Sequence, residues 1–230
     1  MAEGVSTRMK RATITMILAG LLMGSLHAEA KDTPLDEIIS GVEGFYAEKA
    51  SLQVTFRQVV RKKYQAPGVK GMERTGVAFF QKPGKMRWDY REPEPIYYVS
   101  NGEVLWVYEA SENVAYKGQV KGSQLFGAMK FLFGSGDLRT DFDVVQGKGT
   151  ESAHQLVLKS KTGDSAYRSI RLFVNKESFE IRKTVVEDPL GDRSEIVFEK
   201  IRYAPISNPE WFEWKPGPGV RVEDLSRRGN

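Results

Sequence analysis

Residues 82–108, KPGKMRWDYREPEPIYYVSNGEVLWVY, decide the fold. Met86, Trp88 and Tyr90 alternate with Arg87, Asp89 and Arg91, so three large apolar side chains share one strand face and three charged ones share the other. Pro83-Gly84 and Asn101-Gly102 are turn dipeptides, and the segment reads as strand, turn, strand, turn, strand. Trp106 and Tyr108 share a face beyond the second turn. Trp and Tyr are costly to leave in water and rarely fill a small core completely. A sheet face lined with them is either an unusually aromatic core or the wall of an apolar cavity. The pattern leaves both open.

The same alternation continues outward in both directions. Leu52, Val54 and Phe56 alternate with Gln53, Thr55 and Arg57, a half-buried strand. Further strands are predicted at 71–81, 85–91, 96–100, 104–109 and 113–117, then at 141–146, 154–160, 168–175, 180–187, 194–203 and 211–214. Tight turns such as Thr162-Gly163-Asp164 and Leu190-Gly191-Asp192 join them. The expectation is a mainly β, α+β chain: one antiparallel meander of roughly ten or eleven strands, curled into a barrel or half-barrel.

Two helices interrupt this pattern. Residues 34–49 carry a stripe of Ile38, Val42 and Phe45, with Thr33 as N-cap, Pro34 in first position and Asp36 and Glu37 in the first turn; Gly41 and Gly44 weaken it. Residues 123–133, SQLFGAMKFLF, place Leu125, Met129 and Leu132 on one stripe flanked by Phe126 and Phe133. Gly122, Gly134 and Gly136 bracket this helix. It is either a permanent plug at one end of the sheet or a hinged lid that admits an apolar ligand.

Arg8, Lys10 and Arg11 precede the apolar run 12–26, and Ala28-Glu29-Ala30 completes a secretory signal peptide, with Met9 as an alternative start. Cleavage after Ala30 is expected to leave 31–230 as a single exported domain, long enough for one substantial core. The chain carries a net charge of +4 with its basic and acidic residues interspersed, which disfavours nucleic acid as a partner. Arg61-Lys62-Lys63 is the one basic run and reads as a solvated strand end. Absence of cysteine excludes disulfides, thiolate catalysis and a lipidated Cys behind the leader. A freely diffusing protein of a Gram-negative periplasm fits best.

Little catalytic material remains. His27 lies in the leader, and His154 reads as a surface or strand-end residue with no metal-ligand neighbours. There is no phosphate-binding glycine loop. The pairs Asp141/Asp143 and Glu92/Glu94 could do acid–base work, and the spacing of two puts Asp141 and Asp143 on one strand face; such pairs are more often solvated edge charges. No enzyme activity, metal or cofactor is expected.

Three segments, taken in order, resemble the LolA family of periplasmic lipoprotein carriers. The run Gln81-Lys82-Pro83-Gly84-Lys85-Met86-Arg87-Trp88-Asp89-Tyr90, followed by Pro93, is similar to the family's strand with a basic-Pro entry and an aromatic-x-Trp pattern. Val99-Ser100-Asn101-Gly102-Glu103-Val104-Leu105-Trp106-Val107-Tyr108 looks like its VSDG-x-x-LW-x-Y hairpin. Phe212-Glu213-Trp214-Lys215-Pro216 through Gly219-Val220-Arg221-Val222 resembles its closing motif. With the leader and the first helix, the resemblance spans essentially the whole exported chain.

The resemblance implies an open half-barrel whose short helices form a lid over an apolar cavity. It implies acyl-chain contacts from Met86 and Trp88 on the strand and Met129 and Leu132 on the lid, with Phe56, Tyr90, Trp106, Leu125 and Phe133 as further candidates. The expected function is a soluble periplasmic carrier, a monomer. It would take acylated lipoproteins from an inner-membrane ABC transporter and deliver them to an outer-membrane receptor. Where the family commonly has an Arg latch to lid backbone, this chain has Lys82, either a weaker latch without the planar fork or a solvated turn residue. Alternatives are a periplasmic binder or sensor of another lipid or amphiphile, a hydrolase built on the carboxylate pairs, and a structural adaptor with an ordinary aromatic core.

Overall fold

Period-two alternation makes one face of each strand apolar, so neighbouring strands can extend a single sheet with a shared inner surface. The computed structural model describes residues 33–120, 138–161 and 167–225. The predicted leader and the predicted turn 162–164 lie outside the described residues, as does the predicted helix 123–133 with Leu125, Met129, Leu132 and Phe133. The chain runs through α1 (Leu35–Ala47), β1 (Ser51–Arg61), β2 (Met72–Gln81), β3 (Lys85–Glu92), β4 (Ile96–Asn101), β5 (Val104–Glu109) and β6 (Val114–Gln119). After the undescribed stretch come α2 (Leu138–Asp141), β7 (Phe142–Gly147), β8 (Ala153–Ser160), β9 (Ser169–Asn175), β10 (Ile181–Glu187) and β11 (Arg193–Phe198). A 3₁₀ turn at Pro209–Phe212 and the short β12 (Arg221–Asp224) end the described chain.

The strands form one twelve-stranded sheet in the order β12-β6-β5-β4-β3-β2-β1-β11-β10-β9-β8-β7. Two antiparallel meanders, β2–β6 and β7–β11, are joined through β1, which pairs with β2 on one side and β11 on the other. β7 and β12 end the order without pairing to each other, so the sheet is open. This is the predicted architecture with twelve strands instead of ten or eleven.

Inner-face side chains form two clusters. Ile38, Ile39, Val42 and Tyr46 of α1 pack with Leu156 and Leu158 of β8, Ile170, Leu172 and Val174 of β9 and Ile181 of β10. Val54, Phe56, Ala78, Phe80, Met86, Trp88 and Tyr90 form the other, on β1, β2 and β3, and Phe198 packs against both. Thus α1 lies on the β8–β10 half.

Several predicted details are corrected. Thr33 is not the helix cap: Pro34 holds that position, extended at ψ 144°, without a side-chain bond, while its carbonyl accepts from Glu37 and Ile38 N–H. The buried stripe of α1 uses Ile39 and Tyr46, with Phe45 only partly buried. Gly41 has a packing role, because a Cβ there would lie 2.5 Å from the Phe179 ring. The strand predicted to run to Tyr203 stops at Phe198, leaving a single bridge from Arg202 to Gln53. No strand forms at 211–214. Asn208 accepts from Glu210 N–H at 2.9 Å with Pro209 behind it, which favours a 3₁₀ turn.

That turn belongs to a strap across the outer face. Phe212 is 1% exposed, Trp211 stacks edge-on to Phe79 at 4.6 Å, and Trp214 lies 5.2 Å from Trp106 and 5.1 Å from Tyr108. Asn113 Nδ2 donates to Gly219 O at 2.9 Å, and β12 then adds to β6 in parallel. β12 was not predicted, because a parallel partner far away in sequence leaves no local turn signal.

Two stability outcomes follow from this packing. Phe212→Ala should cost about 3–5 kcal/mol in denaturant unfolding, since it empties a filled site. Gly41→Ala gains roughly 1 kcal/mol of helix propensity but meets the Phe179 ring. A net loss of about 1–2 kcal/mol is expected, and a stabilised variant would refute the contact.

Candidate functional site: an apolar inner face and its clasp

The inner face over β1–β3 is an aromatic pavement. Phe56 lies 4.3 Å from Trp88 and edge-on to Tyr90 at 5.2 Å; Phe80 meets Trp88 at 6.0 Å and Tyr90 meets Tyr98 at 6.0 Å. Gly76 makes the first contacts possible, because a Cβ on it would sit 2.6 Å from the Phe56 ring. Strand register explains the set: Ala78 faces Trp88, Phe80 faces Met86, and Trp88 faces Tyr98. Met86 and Trp88 are buried, 2% and 3% exposed. Burial raises the Tyr90 phenol well above its ordinary pKa, so it stays neutral.

Of the predicted ligand-facing residues within the described chain, Phe56, Met86, Trp88 and Tyr90 therefore come together on one surface. Trp106 does not. In the β4–β5 pairing Ser100 opposes Leu105 and Val99 opposes Trp106, so Leu105 joins the inner cluster and Trp106 faces outward. There it packs on Trp214, with Lys117 Nζ 5.6 Å above its ring. Parity across a hairpin depends on how many residues the turn consumes, and the dipeptide Asn101-Gly102 does not state it.

At the seam between the two apolar halves, α1 ends and Lys82 begins the turn after β2. Lys82 Nζ donates to the carbonyls of Tyr46 at 2.6 Å and Ala47 at 3.1 Å, and Lys82 N–H donates to Ala50 O at 2.9 Å. The last carbonyls of a helix lack intrahelical donors and carry its negative dipole end, so a cation there is doubly favoured. Partial burial lowers the ammonium's pKa. Lys82 is thus bonded to helix backbone and is not a solvated turn residue.

The Tyr46 side chain provides a second tie. Its hydroxyl accepts from Ile181 N–H at 3.1 Å, beside the bulge that breaks the β9–β10 register between Ile181 and Lys183. Burial pushes the Tyr46 phenol up to about 12. Nearby, Tyr203 O–H donates to the buried Glu180 at 2.6 Å, and Arg182 Nε pairs with the same carboxylate at 2.6 Å. Between these groups Tyr46, Leu52, Val54, Phe80, Ile181, Phe198, Ile201 and Tyr203 line an apolar recess of about 10 Å³, the lower limit for one water. Tyr46, Phe80 and Phe198 were missed from sequence; the i, i+4 step from Val42 to Tyr46 is the one usable signal.

The strand face predicted for Asp141 and Asp143 does not form, whereas Glu92 and Glu94 are solvated turn charges as expected. Asp141 closes α2 while Asp143 is exposed on β7, so they share no strand face, and Glu92 and Glu94 are exposed around the β3–β4 turn. His154 stands at the start of β8 as predicted but is buried, 6% exposed. Among the described residues no group of His, Cys, Asp or Glu could hold a metal ion, and no helix is long and apolar enough to cross a membrane.

Comparison with known proteins is consistent with this geometry. Residues 48–215 match the family described as outer membrane lipoprotein carrier protein LolA. The chain is 28% identical over 212 residues to the outer-membrane lipoprotein carrier protein of Methylococcus capsulatus, covering 90% of this chain and 95% of that one. It is 27% identical over 217 residues to the carrier protein of Cupriavidus necator, covering 93% and 99%. Among solved structures, an uncharacterized conserved protein from Thermus thermophilus shares the fold at TM-score 0.51 and 13% identity, over 82% of this chain and 98% of that one. The match runs from the end of α1 through the inner-face strands to the C-terminal strap, and the chain belongs to the LolA family.

Proposed function

We propose that the protein is a periplasmic carrier that shields the acyl chains of lipoproteins between the inner membrane and an outer-membrane receptor. In this reading residues 1–30 are a cleaved leader and 31–230 are the carrier domain, acting as a monomer without catalysis or cofactor. Family membership supports the carrier class. The observation that carries the mechanism is the Lys82 clasp, which holds the end of α1 over the seam between two apolar half-faces.

Magnitudes make the clasp a reasonable gate. Covering one acyl chain of about sixteen carbons is worth on the order of 12 kcal/mol at about 0.8 kcal/mol per CH₂. The seam recess, at about 10 Å³, is far too small for such a chain, so loading must widen it. Two hydrogen bonds from a part-exposed ammonium hold the end of α1 by about 1 kcal/mol each, which cargo burial exceeds several-fold. Met86, Trp88, Phe56 and Tyr90 would then form one wall of the cavity, and Leu125, Met129, Leu132 and Phe133 the facing lid. Met adapts to irregular shapes, which suits varied cargo and leaves it removable by the receptor. No nucleotide-binding loop is present in the sequence, so energy for loading would come from the transporter.

The decisive experiment adds the exported protein to spheroplasts of its host and analyses the soluble fraction by mass spectrometry. One-to-one complexes with acylated lipoproteins are expected; free lipid in their place would replace this reading with a general amphiphile binder. Met86→Glu should lower lipoprotein capture at least tenfold while circular dichroism shows a folded sheet, because a carboxylate is expensive on an apolar wall. Lys82→Ala should speed amide exchange at Tyr46–Lys49 and tighten an apolar fluorescent probe about tenfold, with Lys82→Arg restoring both. Unchanged probe affinity in Lys82→Ala would remove the clasp from the mechanism.

A further inference from the structure

One end of the sheet presents apolar side chains that the fold does not use. The β1–β2 connection is a ten-residue loop, 62–71, yet it is ordered from within. Lys62 N–H donates to Gln65 Oε1 at 3.2 Å, Gln65 Nε2 to Lys70 O at 2.7 Å, and Val69 N–H to Ala66 O at 3.2 Å. The β10–β11 turn is tied to it: Asp192 accepts from Lys63 N–H at 3.0 Å and from Lys62 Nζ at 2.6 Å. These two joined tips carry Tyr64 at 88% exposure, Leu190 at 74% and Val69 at 56%, with Met72 exposed at the root. Half of the exposed large apolar residues among the described positions are therefore gathered at one end.

The charges around them are unbalanced. Most local acids are paired with bases, Asp192 with Lys62, Glu187 with Arg168, Arg171 and Arg193, and Glu73 beside Met72 with Arg57 at 4.0 Å, while Asp188 accepts from the Asp192 backbone N–H and keeps its charge. Arg61, Lys63 and Lys70 are exposed and make no ion pair among the described residues, and Lys63 Nζ lies 5.0 Å from the Tyr64 ring centre. A narrow tip of four apolar side chains is too small for a stable protein interface, which needs about 1,000 Å². An apolar tip ringed by Lys and Arg does suit the headgroup region of an anionic bilayer, where the rings and methyls enter and the ammonium groups meet phosphate.

We propose that the paired β1–β2 and β10–β11 tips dock the protein weakly and reversibly on anionic phospholipid surfaces. This goes beyond the carrier reading and stands without it, since vesicles free of lipoprotein test it.

The chain has no cysteine, so Leu190→Cys can carry a single environment-sensitive fluorophore. Protein recovered from the periplasm is mixed with vesicles of phosphatidylethanolamine containing about one quarter phosphatidylglycerol. A saturable blue shift is expected, about fivefold weaker on pure phosphatidylcholine or at high salt. Adding Lys63→Glu and Lys70→Glu should weaken it about tenfold. The same label at Val145→Cys, exposed on edge strand β7, should not respond. No shift at position 190, or an equal shift at 145, overturns the proposal. Binding only to native membranes, abolished by protease treatment of those membranes, overturns it in favour of a protein partner.

Discussion

An open sheet with one continuous apolar face has to be covered, and every other feature of this molecule answers to that constraint. Twelve strands present more inner surface than one short helix can bury. α1 seals the β8–β10 half with Ile38, Ile39, Val42 and Tyr46, and the β1–β3 half is paved with rings that pack on each other. Aromatic side chains stabilise such a surface edge-on and offset without interlocking in a fixed jigsaw.

The polar groups at the seam tie the end of α1 to the sheet. α1 is held at its end by Lys82 on two helix carbonyls and by the Tyr46 hydroxyl on the Ile181 amide. Both ties are hydrogen bonds to backbone, so they are directional. An ammonium makes such bonds as a point donor; a guanidinium would add a planar fork and hold more rigidly. Lysine therefore makes the less rigid of the two contacts.

The opposite face has its own aromatic system with a different purpose. Trp106, Tyr108 and Phe79 receive Trp214 and Trp211 from the C-terminal strap, and Phe212 is buried beneath. The strap thickens the β2–β5 region from outside and ends by pairing β12 to β6, so none of its packing draws on the inner face. Four tryptophans are thus divided between one inner ring, Trp88, and an outer set that is structural packing.

By itself, the chain's period-two pattern determined most of the strands, that the class is mainly β, and that Met86, Trp88 and Tyr90 share a face, because side-chain direction along a strand is local geometry. Lys82 stood out only through the resemblance to the LolA family, which left a latch and a solvated turn residue both open. Only the tertiary structure decided that Trp106 faces outward, because hairpin register depends on turn length and on the partner strand. It also decided that Lys82 meets Tyr46, 36 residues earlier, and that β1 pairs with β11, two contacts that exist only after the sheet has brought distant segments together. Periodicity reports on a residue's own strand; parity between strands and the partners of polar side chains are properties of the assembled sheet.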